Sequence, residues 1–210
     1  VKQNVEIFDI FDGDMNRIGT ATRREVHQQG LWHQTFQCWI LSKQDEEWYL
    51  LFQMRHSDKD TFPSLLDISC AGHLLAGETV EDGLRELAEE LGVNAAFEEL
   101  HSCGVYREEQ FLDGGKIDRE FCHVFVLRAD RPLHTYQLQE DEVTGLYRIA
   151  LEDVRRLTAG DMDSLVTAQG VEPDMNGVLL PVDRRFAARD FVPHSKAYFR
   201  LVLDTIGNLQ

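Results

Sequence analysis

The chain is short of several things, and each shortage removes a class of protein. Basic residues are scarce: 21 Lys and Arg stand against 37 Asp and Glu, for a formal charge of -16. Such an acidic chain repels phosphate backbones, so no nucleic acid partner is expected. No apolar run reaches the roughly 18 residues that a membrane span needs, and the start does not read as a secretory leader. No membrane partner is expected either. The four cysteines (Cys38, Cys70, Cys103 and Cys122) follow no short metal-binding spacing. Three of them lie among apolar or small neighbours and read as buried thiols, as in a reduced cytoplasmic protein. There is no internal repeat and no low-complexity tract. What remains is 210 residues, 43% of them apolar, enough for one large domain with a substantial core.

Periodicity divides the chain into strands and helices. Val5 to Phe11 and Arg17 to Thr22 read as a hairpin across the turn at Asp12 to Asn16. Thr22 to His27 reads as a short helix ended by Gly30. Thr35 to Leu41 is β-rich, with Phe36, Cys38 and Ile40 on one side, and Trp48 to Met54 follows a polar turn. Further strands are expected at Glu99 to Glu108, Phe121 to Leu127 and Asp141 to Tyr147, with a turn at Leu112 to Lys116. Leu151 to Thr158 carries a helical stripe, Asp161 to Ala168 is expected as another short helix, and Pro193 is expected to open a final helix buried through Tyr198, Leu201, Val202 and Ile206. Interleaved strands and helices imply an α+β class or an α/β/α sandwich.

One segment carries the chemistry. From Gly72 to Val93, a loop with two glycines runs into a helix with three glutamates. Thr79 and Asp82 form a capping-box variant, Val80, Leu84, Leu87 and Leu91 make an apolar stripe, and Gly92 is a left-handed C-cap. Glu86, Glu89 and Glu90 project from the other side. Carboxylates this close repel unless a cation sits among them, and a hard divalent ion, Mg²⁺ or Mn²⁺, suits oxygen ligands. Arg85 lies four residues before Glu89 and is expected to hold it in one rotamer. Arg55 is the first candidate for a substrate phosphate, with Lys59 and Arg23 behind it.

This segment resembles the Nudix box. Gly72 and Glu78 match its opening, and Arg85, Glu86, Leu87, Glu89, Glu90, Gly92 and Val93 match its second half. It departs at one point: six residues separate Glu78 from Arg85, one fewer than the usual pattern, which touches the role of Glu78 more than that of the later glutamates. Outside the box, Phe8 to Asp12, Gly19 to Arg23, His27 to His33, Met54-Arg55, Lys59-Asp60, Pro63, Ala71 to His73 and Arg119 to Phe125 resemble the branch that contains isopentenyl-diphosphate isomerase. The resemblance covers about residues 5 to 150. It implies a Nudix-type α/β/α sandwich with a mixed sheet, as one domain over 1–210: a hairpin at about 5–22, a core at about 30–158 and a C-terminal helical elaboration at about 159–210.

The resemblance also implies roles. Glu86, Glu89 and Glu90 would bind Mg²⁺ or Mn²⁺, and a water would attack a phosphorus of a nucleoside diphosphate derivative. His27, His33 and His73, with Glu120 and less surely Asp118, match the isomerases' metal ligands and form a possible second site. The isomerases' cysteine falls on Ala71 here, with Cys70 one residue early and so on the opposite face of a strand. The expectation is therefore a metal-dependent hydrolase acting on nucleoside di- or triphosphates or related derivatives, with Glu90, Glu89, Arg85 and Glu120 as catalytic residues. Glu90, Glu108, Glu109 and Glu120 are the candidate bases, and Trp32, Phe36, Tyr106 and Phe111 the candidate stacking aromatics. Isopentenyl-diphosphate isomerisation and a non-catalytic nucleotide sensor are the alternatives. A small-molecule diphosphate is the expected partner, with a homodimer possible.

Overall fold

Alternation along the strands decides what each face of the sheet packs against. The computed structural model describes residues 5–111, 117–160 and 165–210. Its longest strand, β3 (Trp32–Gln44), follows a hairpin of β1 (Ile7–Phe11) and β2 (Arg17–Thr22) and a short helix α1 (Arg23–Gln29). Thr22 caps α1, with Glu25 closing the capping box, and Gly30 ends it at a φ of 62°. On β3, Phe36, Cys38 and Ile40 face one core with Leu87 and Leu91, while Trp39 and Leu41 face a second core with Val154, Tyr198, Val202 and Ile206. The sheet is thus sandwiched between α2 (Leu84–Leu91) on one side and α3 (Leu151–Ala159) and α4 (Lys196–Gly207) on the other. This is the expected α+β sandwich.

The sheet is mixed. β3 runs parallel to β8 (Ile117–Arg128) from the pair Trp32 and Arg119 to the pair Leu41 and Arg128, and β8 pairs antiparallel with β7 (Leu100–Phe111). On its other edge β3 pairs with β4 (Glu47–Arg55) only near their shared turn, from Leu41 and Leu50 to Gln44 and Glu47. Beyond that the two strands diverge. β5 (Leu66–Asp67) takes the freed edge of β4, and β6 (Cys70–His73) takes that of β3. A cavity of about 650 Å³ is lined by residues of these four strands and of β7 and β8. β9 (Val143–Ala150) continues the sheet beyond β4.

Two C-terminal expectations are corrected. Val166 and Ala168 belong to β10 (Val166–Pro173), which pairs with β11 (Leu179–Phe186) as a hairpin extending the sheet. The elaboration is therefore part strand and part helix. Burial of Val166, Ala168 and Gly170 alternates with period two, which a helical reading of so short a stretch overlooks. Gly170 admits the ring of Tyr147: a Cβ there would lie 2.3 Å from Tyr147 Cδ1. Residues 161–164 of the expected helix, and the turn at Leu112 to Lys116, lie outside the described residues. The last helix begins after Pro193, with Ser195 as its cap accepting the Tyr198 N–H at 3.0 Å. A residue before proline avoids helical backbone, and serine is the better cap. Residues 191–194 instead lie beside β5: Phe191 bridges to Leu66, and the Val192 N–H donates to the Leu66 carbonyl at 2.8 Å. No helix among the described residues is long and apolar enough to cross a membrane.

Tyr198 ties α4 to the sheet. Its hydroxyl donates to Gln37 Oε1 at 2.8 Å and accepts from Trp39 Nε1 at 3.1 Å, all three side chains being buried. Tyr198→Phe strands both partners and is expected to lower stability by about 1–3 kcal/mol in urea unfolding, with the m-value unchanged.

Candidate active site

The acidic helix is held by a latch. Before α2, Thr79 donates from its backbone N–H (2.7 Å) and hydroxyl (2.8 Å) to Asp82, and Val80–Gly83 wind as a 3-10 turn. The one-residue shortfall against the Nudix pattern falls in this stretch. Gly92 ends α2 at a φ of 63°. Arg85 donates from Nε to Glu78 (3.0 Å), from Nη1 to Glu86 (2.5 Å) and from Nη2 to the His73 carbonyl (2.9 Å). Glu78 also accepts the Leu75 N–H at 2.7 Å, so it closes the loop. Arg85 was expected to hold Glu89. It reaches Glu89 at only 3.5 Å and spends its fork on Glu78 and Glu86, which lie deeper and bind it at hydrogen-bond distance.

Glu86 lies on the backbone of Gly72: a Cβ at that glycine would sit 2.1 Å from Glu86 Cδ. Only glycine leaves room for the carboxylate there. Glu86 and Glu90 are 9% and 5% exposed, whereas the Glu89 side chain is 57% exposed. Burial and then the neighbouring Glu86 charge push the Glu90 carboxyl up to about 7. Burial raises Glu86 as well, against the pull of Arg85. Buried oxygens that repel one another fit a hard divalent cation, which would be held by Glu86, Glu89 and Glu90.

A second cluster gathers around His73. Phe8, fully buried, stacks on His73 and His33 at centroid distances of 4.7 and 5.5 Å. His33 Nδ1 is hydrogen-bonded to the Leu31 carbonyl at 3.1 Å, which turns Nε2 inward. His27 and His33 Nε2 both lie 3.8 Å from Asp118 Oδ1, and His73 Nε2 lies 3.8 Å from Glu120 Oε1. The ring nitrogens of the three histidines lie within 4.8 Å of one another. These spacings are too long for hydrogen bonds, and His33 Nε2, His73 Nε2 and Asp118 Oδ1 are buried without a hydrogen-bond partner. Burial lowers His33 to about 4 and drives His73 well below its ordinary value too, favouring the neutral rings that metal ligands must have. Burial, reinforced by Asp118 and Glu108, raises Glu120 to about 8. The donors fit a second divalent cation.

Arg55, Lys59 and Arg23 line the same cavity. Arg55 is fixed by Thr61 (Nε to the carbonyl, 3.2 Å) and Asp67 (Nη1, 2.9 Å). Lys59 pairs with Glu142, and Arg23 pairs with Glu6 at 2.8 Å. Of the candidate bases, Glu90, Glu108 and Glu120 line the cavity, while Glu109 is bound to Arg119. None of the four stacking candidates lines it. Trp32 packs on Phe121 beneath Arg107, Phe36 packs in the core on Phe125, Tyr106 bonds Ser195, and Phe111 is exposed. Trp32 and Phe36 are taken up by packing on the neighbouring strand β8.

Sequence reading missed Asp67 and His194. His194 Nε2 bonds Asp67 Oδ1 at 2.7 Å, 127 positions away in the chain, so no local spacing signals the pair. Burial alone would raise Asp67, but the hydrogen bond and charge of His194 and the charge of Arg55 hold it down at about 2. Burial alone would lower His194, but Asp67 and then Glu108 raise it.

Comparison with known proteins agrees with this geometry. The NUDIX domain model matches residues 31–168. An uncharacterised Nudix hydrolase of Clostridium acetobutylicum is 41% identical over 198 residues, 94% of this chain and 95% of the relative. An isopentenyl-diphosphate Delta-isomerase of Cutibacterium acnes is 32% identical over 181 residues, 83% of this chain and 89% of the relative. Among solved structures, DR0079 of Deinococcus radiodurans shares the fold at a TM-score of 0.56 and 21% identity, covering 74% of this chain and 90% of that one. The chain belongs to the Nudix family, as a hydrolase of that family.

Two measurements test the electrostatics. Glu90→Gln removes one of two repelling buried carboxylates, and without metal it is expected to gain on the order of 1 kcal/mol in stability. Mg²⁺ is expected to raise the melting temperature of the wild type but not of this variant, as read by scanning calorimetry. For the His194 and Asp67 pair, the raised imidazole stabilises below its ordinary 6.5 and loses that contribution as pH rises through its folded value. The depressed carboxyl stabilises above its ordinary 3.8 and loses that contribution as pH falls toward about 2. The stability difference between wild type and His194→Gln is therefore expected to peak between about pH 4 and 6.5 and to shrink on either side, in urea melts across pH.

Proposed function

We propose that the protein hydrolyses a diphosphate linkage with bound Mg²⁺ or Mn²⁺, and that its substrates are nucleoside di- or triphosphates or related derivatives. The observation that carries this reading is the buried pair Glu86 and Glu90, facing a cavity that Arg55 and Lys59 also line. A cation held by Glu86, Glu89 and Glu90 would supply charge neutralisation at the diphosphate and lower the pKa of the attacking water. Arg85 holds Glu86 in place through one branch of its guanidinium and the loop through the other. Arg55 keeps part of its donor fork for a phosphate oxygen, since Thr61 and Asp67 take the rest. Glu90 and Glu120, both raised toward neutral pH by burial, are the carboxylates suited to take a proton from the nucleophile. His27, His33 and His73, with Asp118 and Glu120, are read as the second metal site. Their nitrogens favour Mn²⁺ or a later transition ion over Mg²⁺.

Isomerisation of isopentenyl diphosphate is the second reading, favoured by that histidine cluster. Against it, Ala71 lines the cavity and Cys70 turns to the α2 side, packed with Cys38 and Leu87. The test is release of phosphate or pyrophosphate from a panel of nucleotides, nucleotide sugars and isoprenoid diphosphates, with Mg²⁺ or Mn²⁺. Turnover of one class, falling by about a hundredfold or more in Glu90→Gln, is the expected result. Formation of dimethylallyl diphosphate, abolished in Cys70→Ala, would establish the isomerase instead.

A further inference from the structure

The loop from β4 to β5 closes on Arg55 at both ends. The Arg55 backbone N–H donates to the Leu65 carbonyl at 3.0 Å, and its guanidinium donates to the Thr61 carbonyl from Nε (3.2 Å) and Nη2 (3.0 Å). Residues 62–64 must therefore turn sharply between two anchors on one residue. Phe62 and Ser64 do so in the left-handed region, at φ of 48° and 57°. That region is an outlier for a bulky side chain, and the following Pro63 by itself favours an extended Phe62. A strained position of this kind persists where the surrounding structure over-determines it, and such positions cluster at ligand sites.

The strain does not bury the ring. Phe62 is half-buried, packs into neither core, and lines the cavity, as Arg55 does. Among the described residues that line it, Phe62 is the one Phe, Tyr or Trp. The histidine rings there are engaged: His73 stacks on Phe8, His194 stacks on Tyr198, and His27 stands in the metal-ligand cluster. The remaining apolar lining offers little surface. Ile68 and Val192 are 1% and 4% exposed, Ala71 is a single methyl, and Pro63 belongs to the same bend. Everything else around the cavity is polar, charged or glycine.

A hydrocarbon chain would find one apolar wall there and strand the polar groups around the rest. A flat heteroaromatic ring suits the lining better. Its face covers the Phe62 ring, while its polar edge meets hydrogen-bonding groups or water. The phosphate end follows from the same anchor, since Arg55, which fixes Thr61, retains a donor for a phosphate oxygen.

We infer that Phe62 is the stacking platform for a nucleobase, and that it makes the cavity select nucleoside diphosphate derivatives over isoprenoid diphosphates. The inference rests on the reading of the cavity as a diphosphate site. It adds a specificity-determining residue to that site.

The test is calorimetric binding with Mg²⁺, using the non-hydrolysable methylene analogues of adenosine, uridine and isopentenyl diphosphates, and methylenediphosphonate as the bare phosphate mimic. The wild type is expected to bind a nucleoside analogue about tenfold or more tightly than either ligand without a base. In Phe62→Leu, checked for folding by circular dichroism, the nucleoside affinity is expected to fall by about tenfold and that of methylenediphosphonate to stay within about twofold. A loop merely disturbed would move Arg55 and weaken both ligands alike. In Phe62→Trp the nucleoside affinity is expected to persist, with the added indole emission quenched by the nucleoside analogue and not by methylenediphosphonate. Equal wild-type affinity for all ligands, no binding of any, equal losses in Phe62→Leu, or an unquenched Phe62→Trp would each overturn the inference. Because the analogues are not turned over, the outcome is separate from that of the hydrolase reading. Base-selective binding without hydrolysis of the parent nucleotides would sink that reading and leave the platform standing. Hydrolysis without base selectivity would do the reverse.

Discussion

The guanidinium of Arg85 is the constraint on which the site depends. It joins three pieces of chain: the loop at Glu78, the helix at Glu86 and the end of β6 at the His73 carbonyl. A planar fork with five donors can do this, whereas a lysine offers one point charge. With the fork in place, the Glu86 carboxylate can rest on the bare backbone of Gly72. His73, whose carbonyl is gripped by the same fork, carries its ring toward the second cluster. The glutamate helix and the strand that carries His73 are thereby linked through one side chain.

The second organising feature is a change of character along a single sheet face. On β3, that face passes from Trp39 through Gln37 and Thr35 to His33. On β8 it passes from Val126 and Val124 through Cys122 to Glu120 and Asp118. One end is core beneath α4. The other gathers titratable groups whose burial is costly without a counter-charge. A fold gives up stability in this way where it keeps a site ready for a ligand. The well-packed half of the same strands holds the geometry rigid, and Tyr198, bonded to both Gln37 and Trp39, stands at the boundary between the halves.

The C-terminal sixty residues carry no motif, yet they complete the cavity. The hairpin of β10 and β11 extends the sheet away from it, while residues 191–194 return along β5 and bring in His194. Proline and the serine cap together set where α4 begins, and this leaves the preceding residues extended enough to reach across.

Much was legible in the sequence because it is written in local spacing. The apolar stripe of α2, its glycine cap, the glutamates beside it and the alternation of β3 depend on periods of 3.6 and two, so the sandwich and the acidic helix follow from residues near one another in the chain. The residues themselves pointed to Arg55, Lys59 and Arg23, and the family pattern to His27, His33, His73 and Glu120; all but His33 line one cavity, and His33 clusters with His27 and His73. What the spacing could not specify was partnership at long range. Arg85 turned to Glu78 and Glu86 rather than chiefly to Glu89, because burial and geometry, not sequence separation, rank its acceptors. Of the aromatics open to stacking, Phe36 went to the core and none of the four lines the cavity, and Val166 to Pro173 became a strand because β9 and β11 offered it edges. The pairing of His194 with Asp67 was decided by tertiary structure alone: a hydrogen bond between residues 127 positions apart exists only once the chain has folded back on itself.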